Sequence, residues 1–384
     1  MHDFLIKEII NTNIENELIK IGFDKTYTHK AKDKFKYKNL KIFNLTSAQA
    51  NIIKQTALSV GADCATHKDV ITGKAEISDC ILAGSASQIN KIAQKLSIQP
   101  FGLKILAQQL YDFCRDNEER KTKIVGILNI TPDSFSDGGK YLEPADAINQ
   151  LRLLINDGAD IIDIGAETTK PYSDPTPAQT QITRLTPILE YIKSNNICTP
   201  ISIDTRSAQV AQFAIEYGAS IINDVSGLSY DEHMADTIAK NGVKVIIQHS
   251  QGSPEDMQKN PHYQNLIDEI YKALNTKINY AVSKGIKQEN IIIDPGIGFG
   301  KTRDNNFEII NRWQEFKGLG CPVMLGVSRK SLLDMPDADN LEKDIHTLAI
   351  NSILMREKVD YIRVHNVKLH SKFKDISDKL NPKG

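Results

Sequence analysis

Lys123-Ile-Val-Gly-Ile-Leu-Asn-Ile-Thr-Pro-Asp-Ser-Phe-Ser-Asp-Gly-Gly139 is the most informative stretch of the sequence. Residues 124–130 are almost wholly apolar and rich in β-branched side chains, which predicts a strand that is buried on both faces. Asn129 stands where this run ends, and the Pro, Asp, Ser and Gly residues that follow predict an ordered loop with a sharp turn. Taken alone, the loop is also compatible with an ordinary βα turn. Because parallel α/β sheets build their active sites at the C-terminal ends of the strands, recurrence of the pattern would indicate a functional site.

The pattern does recur, as a helical segment followed by a short apolar run that ends in a polar residue. With the first run included, about eight runs are found: residues 124–130, 161–165, 198–204, 221–223, 245–249, 291–294, 321–326 and 361–363. Eight strands that alternate with helices over roughly 260 residues are typical of a (β/α)8 TIM barrel. A doubly wound open sheet is the alternative, but it usually has five or six strands. We therefore predict the α/β fold class, with a TIM barrel over residues 119–384.

Residues 1–118 lack a catalytic pattern and predict a small α/β N-terminal domain of unknown role. Strands are expected near residues 40–45 and 80–83, and helices over 47–60 and 87–96, with the Ser47 hydroxyl capping the first helix. The segment from Asp112 to Lys123 is almost entirely polar, so the domain boundary is placed within it. Asp63, Cys64 and His67 lie close together in sequence, but three residues of this kind are too weak a signal for a metal site.

Composition excludes several classes of protein. The formal net charge of -1 gives no reason to expect nucleic acid or an acidic membrane as a partner. No apolar run approaches the roughly 20 residues of a membrane span, and the first residues are too polar for a signal peptide. The five cysteines are odd in number and contain no CxxC pair, which favours reduced thiols over disulfides. A cytoplasmic protein is expected.

Polar residues at the ends of the predicted strands, Asp163 among them, would meet at one mouth. Three of these residues, Asp204, Asn223 and Asp294, suggest the kind of ligand. Each carboxylate follows an apolar run, where burial is costly unless a partner is present. An Asp at such a position can also simply cap the next helix. Two carboxylates and an amide together suit a flat heterocycle with amidine-like N–H donors, since a carboxylate can accept two parallel hydrogen bonds.

Cationic side chains are predicted on other parts of the rim, and they are Lys170, Arg329, Lys330, Arg363 and His365. Phosphate sites of barrels commonly lie near strands seven and eight. If the ligand carries a diphosphate leaving group, that group needs positive countercharge in order to leave. For Arg363, a salt bridge within the mouth is the alternative. The segment Asp294-Pro-Gly-Ile-Gly-Phe-Gly-Lys301 lacks the spacing of a phosphate loop. Its glycines could instead permit close approach to a planar ligand.

Seven motifs, in this order, resemble those of the dihydropteroate synthase family over roughly residues 122–370. They are Asn129-Ile-Thr-Pro-Asp-Ser-Phe-Ser-Asp-Gly-Gly139, Asp163-Ile-Gly-Ala-Glu-Thr-Thr-Lys-Pro171, Ser202-Ile-Asp-Thr205, Ile222-Asn-Asp224, Asp294-Pro-Gly-Ile-Gly-Phe-Gly-Lys301, Ser328-Arg-Lys-Ser331 and Ile362-Arg-Val-His365. The resemblance implies a magnesium-dependent transferase of folate biosynthesis, acting as a homodimer. Such an enzyme joins 4-aminobenzoate to (7,8-dihydropterin-6-yl)methyl diphosphate, with release of diphosphate.

The resemblance also implies a role for each matching residue. Asp204, Lys330 and Asn129 would be catalytic, and Asn129 would lie by the magnesium ion. The pterin would be bound by Asp204, Asn223, Asp294 and Lys330. The diphosphate would be bound by Asn129, Lys170, Arg363 and His365. The aminobenzoate would be bound by Phe135, Thr169, Pro171 and Ser331.

Three positions differ from the usual family pattern. Lys170 stands where an Arg is usual and loses the bidentate fork, Ala166 replaces a Gly, and Ser250 replaces a Met that often packs on the pterin. Two alternatives stay open at this point. One is a pterin-binding barrel that transfers a methyl group from methyltetrahydrofolate to a corrinoid protein, and the other is a pterin-binding protein without catalysis.

Overall fold

A computed structural model of the chain describes residues 14–115, 121–131, 144–167, 175–251, 261–333 and 338–380. The chain divides into two compact units, Met1–Glu118 with Lys383–Gly384, and Glu119–Pro382. Phe135, Thr169, Lys170 and Pro171 of the predicted site lie outside the described residues.

The N-terminal unit is a small α/β domain, as predicted. Its elements are α1 (Ile14–Lys20), α2 (Lys25–Ala31), β1 (Tyr37–Thr46), α3 (Ser47–Leu58), β2 (Asp63–Thr66), β3 (Ile77–Ser85), α4 (Ala86–Leu96) and α5 (Leu103–Cys114). The three strands form an antiparallel sheet in the order β1-β3-β2. Ile53 of α3, Leu82 of β3 and Ile89 of α4 are fully buried together, so the helices cover one face of this sheet.

Two local predictions for this unit were wrong or incomplete. The cap of α3 is Thr46 and not Ser47, because the Thr46 side chain accepts from Gln49 N–H in a capping box. Ser47 instead donates its hydroxyl to the carbonyl of Ala75. Strand β2 was not predicted, since four residues that alternate between exposed and buried carry little pattern of their own.

The second unit is the predicted eight-stranded α/β barrel. Its strands are β4 (Lys123–Asn129), β5 (Ile161–Gly165), β6 (Ile201–Asp204), β7 (Ile221–Asp224), β8 (Lys244–Gln248), β9 (Ile291–Asp294), β10 (Met324–Leu325) and β11 (Tyr361–Val364). The helices are α6 (Pro144–Asn156), α7 (Ala178–Ser194), α8 (Ala208–Glu216), α9 (Met234–Asn241), α10 (Leu266–Ser283), α11 (Arg303–Arg312), α12 (Asn340–Arg356) and α13 (Val367–Leu380).

All neighbouring strands of the barrel run parallel, in the order β10-β11-β4-β5-β6-β7-β8-β9. A parallel bridge between Ile293 and Val323 joins the two ends of this sheet, and Ile293 N–H donates to Pro322 O at 2.9 Å. The sheet therefore closes around a common axis, and the C-terminal ends of its strands share one mouth.

Alternation along the strands sends side chains to two separate cores. Outward residues such as Ile162, Ile203 and Ile293 pack against the surrounding helices. Inward residues fill the barrel with a separate apolar layer of Val125, Ile161, Ile221, Ile246, Ile292, Met324 and Tyr361. This layer closes the bottom of the barrel, so the next inward positions form the floor and walls of a cup.

Among the described helices, none has the length and hydropathy needed to cross a bilayer.

Candidate active site

The cup above the apolar layer is lined by polar side chains. Moving two residues along a strand keeps the side chain on the inner face, so Asp163 follows Ile161, Asn223 follows Ile221 and Asp294 follows Ile292. Across the sheet, Asn129, Gly165, Asp204 and Asn223 stand in register on four consecutive strands. The structure thus places Asp204, Asn223 and Asp294 at one mouth.

Asp163 is the centre of the hydrogen-bond network in this cup, and it is fully buried. Its Oδ1 accepts from Ser202 Oγ at 2.6 Å, and its Oδ2 accepts from Asn223 Nδ2 at 3.0 Å and from Arg363 Nε at 2.7 Å. Burial of a carboxylate is tolerated when it is paired and hydrogen-bonded in this way. The network fixes the orientation of both Asn223 and Arg363.

Asp204 lies beside this network and shares its cation. Arg363 donates to Asp204 Oδ2 at 3.0 Å. Burial, opposed by Arg363 and reinforced by the nearby carboxylates of Asp163 and Glu167, raises the pKa of Asp204 to about 7. A carboxyl group of this kind can respond to a ligand that offers it an N–H donor.

Gly165 keeps the space between Asn129 and Asp204 open. A β-carbon at Gly165 would lie 3.2 Å from Asn129 Oδ1 and 3.7 Å from the β-carbon of Asp204. The glycine at this point therefore preserves the volume of the cup between two predicted site residues.

Asp294 is the last residue of β9 and directly precedes the glycine-rich segment 295–300. It is 4% exposed, and its Oδ1 accepts from Gly296 N–H at 2.7 Å. Burial raises its pKa, while the nearby Lys330 ammonium lowers it. Gly296 has a φ of 73°, and a β-carbon there would lie 1.8 Å from His249 O. Only glycine can bring the segment this close to the end of β8.

Lys301 follows the glycine-rich segment and connects it to the residue after β8. Its ammonium lies 2.9 Å from Phe299 O and 3.1 Å from His249 Nδ1, and it is 4% exposed. Burial lowers the pKa of Lys301 to about 7, and burial with the nearby lysines lowers the pKa of His249 to about 2. The imidazole is therefore neutral, and its Nδ1 is paired with the side-chain nitrogen of Lys301.

Lys330 reaches the same segment from the loop after β10. Its ammonium donates to Ile297 O and lies 4.7 Å from the ring centroid of Phe299. Burial lowers its pKa to about 8, while Asp294 and Asp204 act in the opposite direction. Lys330 is thus a buried cation within the field of the two predicted pterin-binding carboxylates.

The predicted cations of the rim do not all face the mouth in the same way. Arg363 is occupied by Asp163 and Asp204, which corresponds to the salt bridge considered as the alternative for this residue. Arg329 has a bidentate pair with Asp344 of α12 at 2.7 and 2.8 Å, so its guanidinium is held by that helix.

The Nδ1 atom of His365 lies 2.9 Å from Ser328 Oγ. Burial, together with Arg329 and Arg363, lowers its pKa to about 3, so it is neutral and not the cation that the sequence suggested.

Several residues of this network were not assigned a role from the sequence. Asp163 was recognised at the rim but given no function, and Ser202, Gln248 and Lys301 were not considered as side chains of the site. A signal was present for two of them, since a carboxylate within Ile161-Ile-Asp-Ile and an amide after Val245-Ile-Ile interrupt buried apolar strands.

Comparisons with known proteins agree with this geometry. Residues 125–365 match the family described as pterin binding enzyme. The dihydropteroate synthase of Clostridium beijerinckii is 41% identical over 266 residues, which cover 68% of this chain and 95% of that protein.

The chain belongs to the dihydropteroate synthase family.

A solved dihydropteroate synthase from Anaplasma phagocytophilum, with bound 6-hydroxymethylpterin-monophosphate, is 36% identical with a TM-score of 0.61. The match covers 68% of this chain and 99% of the Anaplasma chain. The family resemblance inferred from the motifs and the predicted barrel fold are both confirmed.

The matches to two further relatives extend beyond the barrel of this chain. The bifunctional dihydropteroate synthase/dihydropteroate reductase of Helicobacter pylori is 32% identical over 373 residues, 95% of this chain and 96% of that protein. A probable bifunctional folylpolyglutamate synthase/dihydropteroate synthase of Haloferax volcanii is 33% identical over 343 residues. The match spans 83% of this chain but only 40% of that longer protein.

Proposed function

We propose that this chain condenses (7,8-dihydropterin-6-yl)methyl diphosphate with 4-aminobenzoate to give 7,8-dihydropteroate and diphosphate. The observation that carries the proposal is the shared cup at the barrel mouth, lined by Asp204, Asn223, Asp294 and Lys330. Membership of the dihydropteroate synthase family supports the same reaction.

The acceptors of the cup suit the pyrimidine half of a pterin, which carries adjacent N–H donors. Asn223 uses its Nδ2 on Asp163, so its Oδ1 is left to accept a ligand hydrogen bond. Among the described residues this oxygen has no hydrogen-bond partner. Asp294 offers a carboxylate beside it, and Asp204 offers another to a ring N–H on the opposite side.

Loss of diphosphate leaves positive charge on the methylene carbon, delocalised into the pterin ring. The carboxylates of Asp204 and Asp294 stabilise this charge because they are fixed in a buried, low-dielectric site before the reaction begins. The bond from carbon to diphosphate oxygen breaks with its electron pair on oxygen. The amine of aminobenzoate then attacks the carbon and loses one proton. The arylamine is a weak base and is uncharged at pH 7, so the site needs no strong general base.

Cationic and N–H groups near the ends of β10 and β11 would receive the leaving anion. Lys330 is a buried cation under the influence of Asp294 and Asp204, and its pKa of about 8 leaves it mostly protonated at pH 7. His365 would contribute an uncharged N–H in the unliganded protein, and an arriving diphosphate would favour its protonation. Lys170 is proposed as a further contact, and it lies outside the described residues.

Magnesium is proposed as the metal of the reaction, with Asn129 as its protein ligand. The carboxamide oxygen beside Gly165 is a hard oxygen donor at the mouth, and magnesium usually takes only one or two protein ligands together with substrate phosphates and water. When bound, the ion would neutralise charge on the departing diphosphate.

For aminobenzoate we propose Ser331, which begins a short 3-10 helix directly after Lys330. Phe135, Thr169 and Pro171, the other proposed contacts, lie outside the described residues. The position of Ser331 next to Lys330 would bring the amine nucleophile to the side of the pterin where the diphosphate departs.

We also propose a homodimer and a cytoplasmic location. The outer face of α12 carries exposed apolar side chains at helical spacing, with Leu341 60%, Ile345 53% and Ile353 59% exposed. Its buried face combines the apolar Leu354 and Met355 with the polar Asp344, Thr347 and Asn351. The exposed apolar side chains on the opposite face suit burial against a second copy. All five cysteines are free, which supports a reducing compartment.

The experiment that tests the reaction is a mass-spectrometric assay for dihydropteroate, with the purified full-length chain and both substrates. We expect product and diphosphate in equal amounts, and a loss of rate when magnesium is removed. Absence of product, with both substrates intact, would contradict the proposal. Methyl transfer to a corrinoid protein, or pterin binding without turnover, would then identify the alternatives.

A second candidate activity is the reduction of dihydropteroate, and one observation favours it. The Helicobacter pylori bifunctional synthase/reductase aligns with 95% of this chain, so the likeness includes the N-terminal unit. The reaction would add hydride to C6 and a proton to N5, with a reduced nicotinamide or reduced flavin as donor. Formation of tetrahydropteroate, two mass units heavier, by the full-length chain with NADPH and an added flavin tests it. No mass change under these conditions would count against it.

A further inference from the structure

Gln248, the last residue of β8, faces the cup and is 4% exposed. Its inward direction follows from Ile246, two residues earlier, which belongs to the apolar layer inside the barrel. Across the sheet it stands in register with Asp294 on β9. On the other side of β8 lies β7, which carries Asn223. Gln248 therefore sits between two proposed pterin-binding residues.

The side-chain amide nitrogen of Gln248, Nε2, is buried and has no hydrogen-bond partner among the described residues. Its main-chain carbonyl, by contrast, lies 3.3 Å from the Lys277 ammonium. A buried donor without an acceptor destabilises the folded protein. An apolar side chain of the same size would therefore give a higher stability in the absence of ligand.

The unpaired donor has a counterpart in the same cup. Asn223 Oδ1 is a buried acceptor that also has no partner among the described residues. A pyrimidine ring of the pterin type carries donors and acceptors side by side on one edge. As carboxylates, Asp294 and Asp204 accept there, and Asn223 also accepts, since its amide nitrogen is held by Asp163. Donors are needed for the ring nitrogen and carbonyl oxygen.

We propose that Gln248 is a specificity-determining residue, whose Nε2 donates a hydrogen bond to an acceptor atom on the pyrimidine half of the pterin. This inference rests on the proposed function, because it names the ligand of the same cup. A ligand with an acceptor atom at that position would satisfy the Nε2 donor of Gln248. Ligands that lack this acceptor are rejected since they leave the donor buried and unpaired.

The test is Gln248→Met, which keeps the length and approximate volume of the side chain and removes the amide. Two quantities are measured, namely the dissociation constant of 6-hydroxymethylpterin by calorimetry and the melting temperature of the ligand-free protein. We expect pterin affinity to fall about tenfold, the effect of one lost hydrogen bond of about 1.4 kcal/mol. The melting temperature should stay the same or rise by about 2–4 °C, because the unpaired donor is gone. The KM for aminobenzoate should not change.

Gln212→Met on α8, outside the barrel mouth, is the matched control and should change neither pterin affinity nor the KM values. Pterin affinity of Gln248→Met within twofold of wild type would overturn the inference. A lower melting temperature of the ligand-free variant would also overturn it, since it would show that the amide serves the fold. If wild type binds pterin but forms no dihydropteroate, the proposed reaction fails while the affinity comparison still decides the role of Gln248. A wild-type protein that binds no pterin overturns both.

Discussion

Arg363 on β11 and Asp163 on β5 form an ion pair of 2.7 Å, although β4 lies between their strands. The same guanidinium reaches Asp204 on β6 at 3.0 Å. One side chain therefore links the end of the chain to two strands that come 200 and 159 residues earlier. The arrangement of the cup depends on this pair, because Asp163 also orients Asn223.

We predict that Asp163→Asn destabilises the protein by about 3–5 kcal/mol, since breaking one side of a buried ion pair leaves the other charge uncompensated. The new amide would also present N–H groups where Ser202, Asn223 and Arg363 already donate. Urea unfolding followed by circular dichroism measures the loss. Asp375→Asn, at an exposed position of α13, is the control and should stay within about 0.5 kcal/mol of wild type. Equal stabilities for the two variants would show that Asp163 is not the centre of the network.

Gly296 gives a second prediction, because its backbone and its surroundings both require glycine. Its φ is 73° and an added β-carbon would lie 1.8 Å from His249 O. Gly242 at the end of α9 has a similar φ of 66° with no atom within 4 Å of an added β-carbon. We expect Gly242→Ala to cost only about 1–2 kcal/mol, the strain of the left-handed conformation. Gly296→Ala should cost clearly more and abolish pterin binding. Thermal unfolding and pterin calorimetry of the two variants check this, and equal effects would contradict it.

The fold could be predicted from sequence far better than the network at its mouth. Each strand of the barrel is a short apolar run such as Ile291-Ile-Ile-Asp294, and this pattern is a local property of the chain. The partner of Arg329, by contrast, depends on how α12 packs beside the loop after β10. Nothing in Ser328-Arg-Lys-Ser331 tells that Arg329 pairs with Asp344 while Lys330 turns to the glycine-rich segment.

The same limit applies to charge. His365 follows an apolar strand and looked like a rim cation, but its charge is decided by burial and by arginines that arrive from elsewhere in the fold. The predicted strand ends bring Asp204, Asn223 and Asp294 to one mouth, while the direction of each side chain and its protonation needed the three-dimensional structure.

The pH dependence of stability provides a third prediction, based on His249. Its pKa of about 2 in the folded protein is far below the value of about 6.5 expected in the unfolded chain. Between these values the unfolded state binds the proton and the folded state does not, so stability falls as the pH is lowered through 6.5. From pH 7.5 to 5.5 this one histidine should account for a loss of about 1.4 kcal/mol. In His249→Gln that part of the pH dependence should disappear, whereas the exposed His346→Gln should keep it. Denaturant unfolding at both pH values measures the difference, and an unchanged pH dependence in His249→Gln would contradict the prediction.

The apolar face of α12 leads to a fourth prediction. Light scattering should give a wild-type mass of about twice the 42.9 kDa of one chain. Ile345→Asp should shift the protein to the single-chain mass, because a buried carboxylate in an apolar interface has no partner. Leu153→Asp replaces a side chain of similar exposure on α6, 54% against 53%, and should leave the mass of the assembly unchanged. A monomeric wild type, or an Ile345→Asp variant that keeps the doubled mass, would rule out this face as the interface.

The most direct test of the account is a crystal structure of the protein with 6-hydroxymethylpterin diphosphate. We predict that the pyrimidine edge of the ring lies within hydrogen-bond distance of Asn223 Oδ1 and the Asp294 carboxylate, with Asp204 across the ring and the diphosphate directed toward Lys330 and His365. A pterin bound outside this cup, or bound with its pyrimidine edge turned away from Asn223 and Asp294, would contradict the account.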